Sequence, residues 1–255
     1  VPTDHSLIQD AIDVAAIGDV VCVEPGTYTE NIDFGGTEIE LVGIAGQHTT
    51  VIDGGAVGSV GHIHGGEGPD AVLRGFTLTN GQEFMGGGLN IDASSPTVSG
   101  LVVTYNEATG GGGGTYMFQS SPTLTDIEMS FNSAAMNGGG LSISTHSYPV
   151  LTDVVITDNT ADQYGGGVRI NESDPVLTVT AVTADTDTHR ARPTNGDASV
   201  PVVDGPMVTN NNSAAGGGVC AQEAAVVGAR GVDRLLSTSD AADASTRVWR
   251  RRGTY

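Results

Sequence analysis

A chain of 255 residues is long enough for one or two ordinary domains, or for one solenoid. Its formal net charge is −20 and all ten basic residues are arginine, with no lysine. Such a chain lacks the basic patch that nucleic acid or an anionic membrane would need, and its surface favours solubility and cations. The 38 glycines follow no collagen period, and hydrophobic residues make up 38% of the chain while aromatics make up only 5%. Many tight turns between short strands packed by Val, Ile, Leu and Ala are the expectation. No run approaches the ~18–20 apolar residues of a membrane helix, so no membrane insertion is expected in this segment. The opening at Val1 instead of Met suggests a processed or cropped N-terminus.

In chain order, Ser6 with Gln9 reads as a capping box. Leu7, Ile8, Ala11, Ile12, Ala15 and Ala16 follow at helical spacing, and Gly18-Asp19 closes the helix. Residues 1–18 are therefore expected to form a cap, and Val20 to Val23 the first strand. Gly61-His62-Ile63-His64 would put two imidazoles on one side of a strand. A zinc site there would need a third ligand, Asp70 or Glu67. With no third ligand at an established distance, no metal is assigned.

From residue 86 a repeat takes over. Pro96, Pro122, Pro149, Pro175 and Pro201 recur every 26 or 27 residues. Ten residues after each stands Asn106, Asn132, Asn159, Asp185 or Asn211, and triple glycines open at Gly86, Gly112, Gly138, Gly165 and Gly216. Between the markers, Val98, Leu124, Leu151, Leu177 and Val203 share one row, and Val103, Met129, Ile156, Val182 and Val208 another. Leu89 and Ile91, Leu141 and Ile143, and Val168 and Ile170 alternate with polar residues, as strands buried on one face do. Three markers with one period predict an all-β fold: a right-handed parallel β-helix solenoid of about 26 residues per coil over 19–221, behind a short N-terminal capping helix. Asn tolerates the left-handed conformation and stacked amides can bond along the axis, so the Asn106, Asn132, Asn159, Asp185, Asn211 column is expected to be a structural ladder. Cys22 and Cys220 would lie about seven coils apart, ~34 Å at ~4.8 Å per coil. A disulfide spans at most ~7 Å between Cα atoms, so the two cannot pair within one chain.

The segments I-Q-D-A-I-D-V-A, G-D-V-V-C-V-E-P-G-T-Y-T-E-N-I and T-V-I-D-G-G, all before Ala56, resemble the cap and first coils of pectin-lyase-like right-handed β-helix proteins. N-S-A-A-M-N-G-G-G-L at 132–141 and N-T-A-D-Q-Y-G-G-G-V at 159–168 resemble repeats of bacterial polymorphic outer-membrane proteins and related secreted β-helix proteins. This resemblance implies an extracellular or cell-surface protein within a superfamily of lyases, hydrolases, esterases, epimerases and adhesins. Lyases of that superfamily use calcium-binding Asp clusters and an Arg or Lys base. Through residue 189 this chain offers only Arg74 and Arg169 against 24 acidic residues. It lacks the paired arginines of pectate lyases and the Asn-Thr-Asp, Asp-Asp and Gly-His-Gly set of polygalacturonases.

Two constellations remain. Asp126 and Asp153 occupy equivalent positions in adjacent coils, ~5 Å apart if stacked. They could hold calcium, serve as acid and nucleophile of a glycosidase, or be solvated turn carboxylates. Registering the coils on their prolines sets Asn90, Tyr116, Ser142 and Arg169 in one outward row and Asp92, Phe118, Ser144 and Asn171 in the next. Rings beside amides and hydroxyls suit sugars. The expectation is a non-catalytic, monomeric scaffold or adhesin-like protein, weakly binding a polysaccharide or cell-surface glycan, with calcium as the one cofactor to consider. The alternative is a polysaccharide lyase or glycoside hydrolase. Residues 190–255 carry eight of the ten arginines and end Arg-Arg-Arg-Gly-Thr-Tyr. Glycine codons read out of frame would give such a run, so 222–255 reads as an irregular tail, frameshifted or disordered. The rival reading is a genuine basic tail for an acidic partner.

Overall fold

The computed structural model describes residues 1–183 and, beyond them, the strands Thr186–Asp187, Ala198–Ser199, Val202–Val203, Val208–Thr209, Val219–Gln222 and Ala224–Ala225. The ladder positions Asp185 and Asn211, and the tail from 226 onward, lie outside the described residues. Ala224–Ala225 pairs in parallel with Ala198–Ser199.

Every ladder between named strands is parallel, and each strand pairs with its counterpart one coil away. Among the described residues the chain is a β-solenoid with one short helix. Its longest sheet runs Val20–Val23, Glu40–Gly43, Val72–Thr79, Thr97–Thr104, Thr123–Ser130, Val150–Thr157, Val176–Thr183. A second runs Ile32–Asp33, Gly61–Ile63, Leu89–Asp92, Thr115–Phe118, Leu141–Ser144, Val168–Asn171, Val219–Gln222. A third, of two to five residues per strand, joins Gln82–Met85 to Thr186–Asp187. In the longest sheet, partners from Thr97 to Thr157 are 26 or 27 positions apart, as in Thr97↔Thr123 and Thr123↔Val150, whereas in the second sheet Val168–Asn171 pairs with Val219–Gln222, a double interval further on.

The first coils depart from that period. Val20 pairs with Glu40, and Glu40 with Val72. Each of these two coils carries a second strand in this sheet, Gly26–Thr29 and Thr50–Asp53, which pair with each other, and Thr50–Asp53 pairs also with the second half of Val72–Thr79. What is two strands and a turn in the early coils thus becomes one eight-residue strand later. The former turn survives as a bend at Gly75, Gly100, Asp126 and Asp153, all with φ between 54° and 81°. The bend shifts the inward alternation: Leu73 and Phe76 both face the core, as do Leu124 and Ile127.

Inside, side chains stack in columns. Leu73, Val98, Leu124, Leu151 and Leu177 form one, and Ile63, Ile91, Met117, Ile143 and Ile170 another, each residue at most 1% exposed. At ~1.5–3 kcal/mol per buried aliphatic side chain, these columns are the main source of stability.

Two polar ladders run beside them. The Asn106 backbone N–H and its Nδ2 both donate to Asn132 Oδ1, at 3.0 and 3.1 Å. Asn132 does the same to Asn159 Oδ1, at 2.9 and 3.0 Å. The left-handed residue is not the Asn but the one before it: Asn80, Tyr105, Phe131 and Asp158 have φ near 56°. That corrects the reason given for the asparagines, which are there to bond.

The second ladder is of serine and was not anticipated. Backbone N–H groups of Gly66, Ser94, Ser120 and Ser147 donate to the hydroxyls of Ser94, Ser120, Ser147 and Ser173 one coil on. At its N-terminal end stands Glu67, 2% exposed, whose carboxylate accepts from the Ser94 hydroxyl at 2.7 Å and from the Gly36 and Gly65 N–H groups at 2.8 and 2.7 Å. Burial pushes this carboxyl up, but the hydrogen bonds outweigh it and hold its pKa below the ordinary value. Glu67→Gln puts an amide N–H₂ against these donors and is expected to cost about 1–3 kcal/mol. Because the folded pKa is depressed, the stabilisation is full at neutral pH and is lost as the pH falls through the folded value. Urea denaturation of both proteins at pH 7 and pH 3 should show the gap narrowing; a gap that widens in acid contradicts this assignment.

The helix is Ile8–Val14, ending before Ala15 and Ala16, with Ile8, Ala11 and Ile12 buried against the first coils. The expected Ser6–Gln9 capping box does not form. Leu7 is the N-cap residue without a side-chain cap, and the Ile8 and Gln9 N–H groups donate to the two oxygens of Glu30. Gln9 is occupied elsewhere. Its Nε2 donates to the Asp33 carbonyl and its Oε1 accepts from the Asp33 N–H, at 3.0 and 2.8 Å. The side chain thus satisfies the backbone of a strand that would otherwise be an open edge.

Candidate functional site

Strand register extends the two outward rows of the second sheet towards the N-terminus. Asp33, His62, Asn90, Tyr116, Ser142 and Arg169 are successive partners. Two residues further along each strand lie Asp92, Phe118, Ser144 and Asn171, and His64 follows His62 at the same offset. The histidines and the aromatic rings, treated separately in the sequence, therefore belong to one surface.

The N-terminal part of that surface is concave. A groove of about 700 Å³ has Asp33, His62, Asn90, Asp92, Tyr116 and Phe118 on its floor, and Glu83, Phe84 and Met85 of the third sheet with Gly58 and Ser59 along its side. Ser142, Ser144, Arg169 and Asn171 continue the rows but do not line it. Arg169 donates to Asn171 Oδ1 within its own strand, at 3.3 Å.

The triple glycines create the corner from which these strands start. Gly86, Gly112, Gly138 and Gly165 have φ between 61° and 69°, which L side chains rarely adopt. The middle glycine of each run lies so near the next coil that a Cβ would meet backbone oxygen. Tyr116 and Phe118 present parallel rings, with centroids 6.4 Å apart and planes 12° apart, both half-buried. Burial pushes the Tyr116 hydroxyl up, so it stays neutral and can both donate and accept. Asn90 donates to the Met85 carbonyl at 3.2 Å, while its Oδ1 has no protein partner.

At the N-terminal end, His64 Nε2 lies 3.0 Å from Asp33 Oδ2, and the rings of His62 and His64 stack at 4.0 Å. The hydrogen bond to Asp33 raises the His64 pKa, whereas burial and the neighbouring His64 lower that of His62. Burial would raise the Asp33 carboxyl, but the hydrogen bonds from His64 and Gly35 bring it below its ordinary value. Asp33 is the residue that sequence reasoning missed. The partners weighed for the histidines are not in place: Glu67 is bound up with backbone and serine, and Asp70 is exposed outside this group.

Asp126 and Asp153 lie elsewhere, on the bend of the longest sheet, exposed and in the left-handed conformation. They occupy the column that Gly75 and Gly100 fill in earlier coils, and neither lines the groove. A bend that demands positive φ explains why Gly or Asp stands there.

No protein-family model matches the chain, and neither curated proteins nor solved structures yield a significant match.

Proposed function

We propose that this protein is an extracellular or surface-displayed β-solenoid that binds a carbohydrate chain in the groove and does not cleave it. The observation that carries the reading is the parallel Tyr116–Phe118 pair, set in a concave surface beside Asn90, Asp92 and His62. Sugar rings stack their C–H faces on aromatics, and their hydroxyls need amide and carboxylate partners. Successive rows are one coil apart, ~4.8 Å, close to the advance of one sugar unit in an extended chain. Support for the location comes from the resemblance of the cap to pectin-lyase-like proteins and of the glycine-rich coils to polymorphic outer-membrane repeats.

The acidity of the groove favours neutral or hydroxyl-rich glycans over polyuronates. An enzyme of the pectin-lyase-like kind is the second reading, favoured by the carboxylate-bonded imidazole of His64 at the end of the groove. A glycan array combined with a polysaccharide panel, run with and without calcium, separates the two. Retention without new ends is expected. Release of unsaturated or reducing ends would overturn the non-catalytic reading.

A further inference from the structure

We infer that Asp33, His62 and His64 form a binding site for one divalent transition-metal ion, of which zinc is the type. One ligand atom from each lies within 4.8 Å of the other two, and among the described residues this is the only group of three such side chains. Two imidazoles and a carboxylate suit zinc, nickel or copper, whereas calcium prefers an all-oxygen shell. Such a set with three protein ligands leaves coordination positions open, and two of the three, Asp33 and His62, also line the groove.

The approach of the ligands is built into the coil. Asp33 and His62 are register partners on adjacent strands, and His64 stands two residues further on the same side as His62. Gln9 bonds both the N–H and the carbonyl of Asp33, and the Gly35 N–H holds its Oδ1 at 2.8 Å. That leaves Oδ2 turned towards His64. Supporting bonds of this kind orient the ligands of metal sites.

Zinc bonds of ~2.0–2.1 Å in a tetrahedron put ligand atoms ~3.3 Å apart, so no pair need close by more than about 1.5 Å. The side chains of His64 and Asp33 are 41% and 46% exposed and can turn by that much. The Asp33–His64 hydrogen bond is then exchanged for two bonds to the ion. Asp92 acts electrostatically on both histidines, Glu83 on His62 and Glu67 on His64, so the local field favours a cation. The two arginines among residues 1–183 are elsewhere: Arg74 pairs with Glu40, and Arg169 lies four register steps from His62. None of this depends on what the groove binds.

The test is titration calorimetry of the metal-stripped full chain with zinc, beside absorption titration with cobalt(II). One equivalent of zinc should bind, and cobalt should give the visible bands of a histidine-containing site. Asp33→Asn and His64→Gln, both at exposed side chains, should each weaken zinc by about a hundredfold, and His62→Ala should do so too. Their melting temperatures should match that of the metal-free parent, which separates lost ligation from lost folding. His48→Ala should leave binding unchanged. No stoichiometric zinc, binding that survives all three substitutions, or calcium displacing zinc at equal concentration would each overturn the assignment.

Discussion

Gly113→Ala is expected to be among the most damaging single-methyl changes at the described glycines. A Cβ at Gly113 would lie 2.2 Å from the Ser133 carbonyl oxygen and 2.6 Å from that of Gly139, both backbone atoms of the next coil. No side chain can move aside to relieve this. The spacing of the coils is itself fixed by hydrogen bonds, from Gly113 N–H to the Gly138 carbonyl at 3.1 Å and from Gly114 N–H to Gly139 at 3.0 Å. The stack must open locally, breaking several such bonds, at about 4 kcal/mol or more. Because each coil is stabilised by its neighbours, the damage should spread to the coils on both sides. Gly18 supplies the comparison: its φ is +85° but nothing lies within 4 Å of its Cβ position. Gly18→Ala therefore incurs backbone strain alone, about 1–2 kcal/mol. Denaturant unfolding should rank Gly113→Ala far below Gly18→Ala, and equal losses would contradict the close-approach account.

Asn132→Ala should rank second, at about 3–5 kcal/mol. Asn132 is 1% exposed. Its Oδ1 accepts two bonds from Asn106, and its Nδ2 donates to the Val103 carbonyl and to Asn159 Oδ1. Truncation orphans the Asn106 N–H inside the coil, at about 1–3 kcal/mol, and removes the Nδ2 bonds to the Val103 carbonyl and Asn159 Oδ1. Asn132→Asp keeps the shape but loses both donors and buries a charge, so it should be no better. Asn31, an exposed asparagine that donates to the Val57 and Ser59 carbonyls, is the control, and Asn31→Ala should cost about 1 kcal/mol. Hydrogen exchange should show Asn106 and its coil losing protection first in Asn132→Ala. A loss under about 1 kcal/mol would mean the ladder is incidental.

The coil was legible because its constraints are local and repeated. Proline, asparagine and glycine each answer one backbone demand per turn, and the rows read from Pro96 onward match the strand pairing. The serine ladder was equally visible, since Ser94, Ser120, Ser147 and Ser173 each stand two residues before a proline. The cap was misread because a capping box is a local pattern, while Ile8 and Gln9 find their acceptor at Glu30, across a coil boundary. Asp33 was hidden for a related reason. The proline register does not reach back before Pro96, and the unequal spacings of Val20 to Glu40 and of Glu40 to Val72 break the period there. Tyr105 and Phe131 carry no sign of their left-handed backbone, a conformation bulky residues seldom take. They adopt it where the chain turns into the asparagine ladder, and their rings stack at 5.2 Å.

That second aromatic pair supplies the control for the groove. Tyr105 and Phe131 are 65% and 50% exposed and stack as Tyr116 and Phe118 do, but they do not line this groove. The decisive measurement is the affinity of the best glycan-array ligand for four variants: Tyr116→Ala, Phe118→Ala, Tyr105→Ala and Phe131→Ala. The groove account predicts that the first two weaken binding by at least about tenfold, equivalent to about 1.4 kcal/mol, with the second two unchanged. Equal losses in both pairs, or loss only at Tyr105 and Phe131, would contradict it.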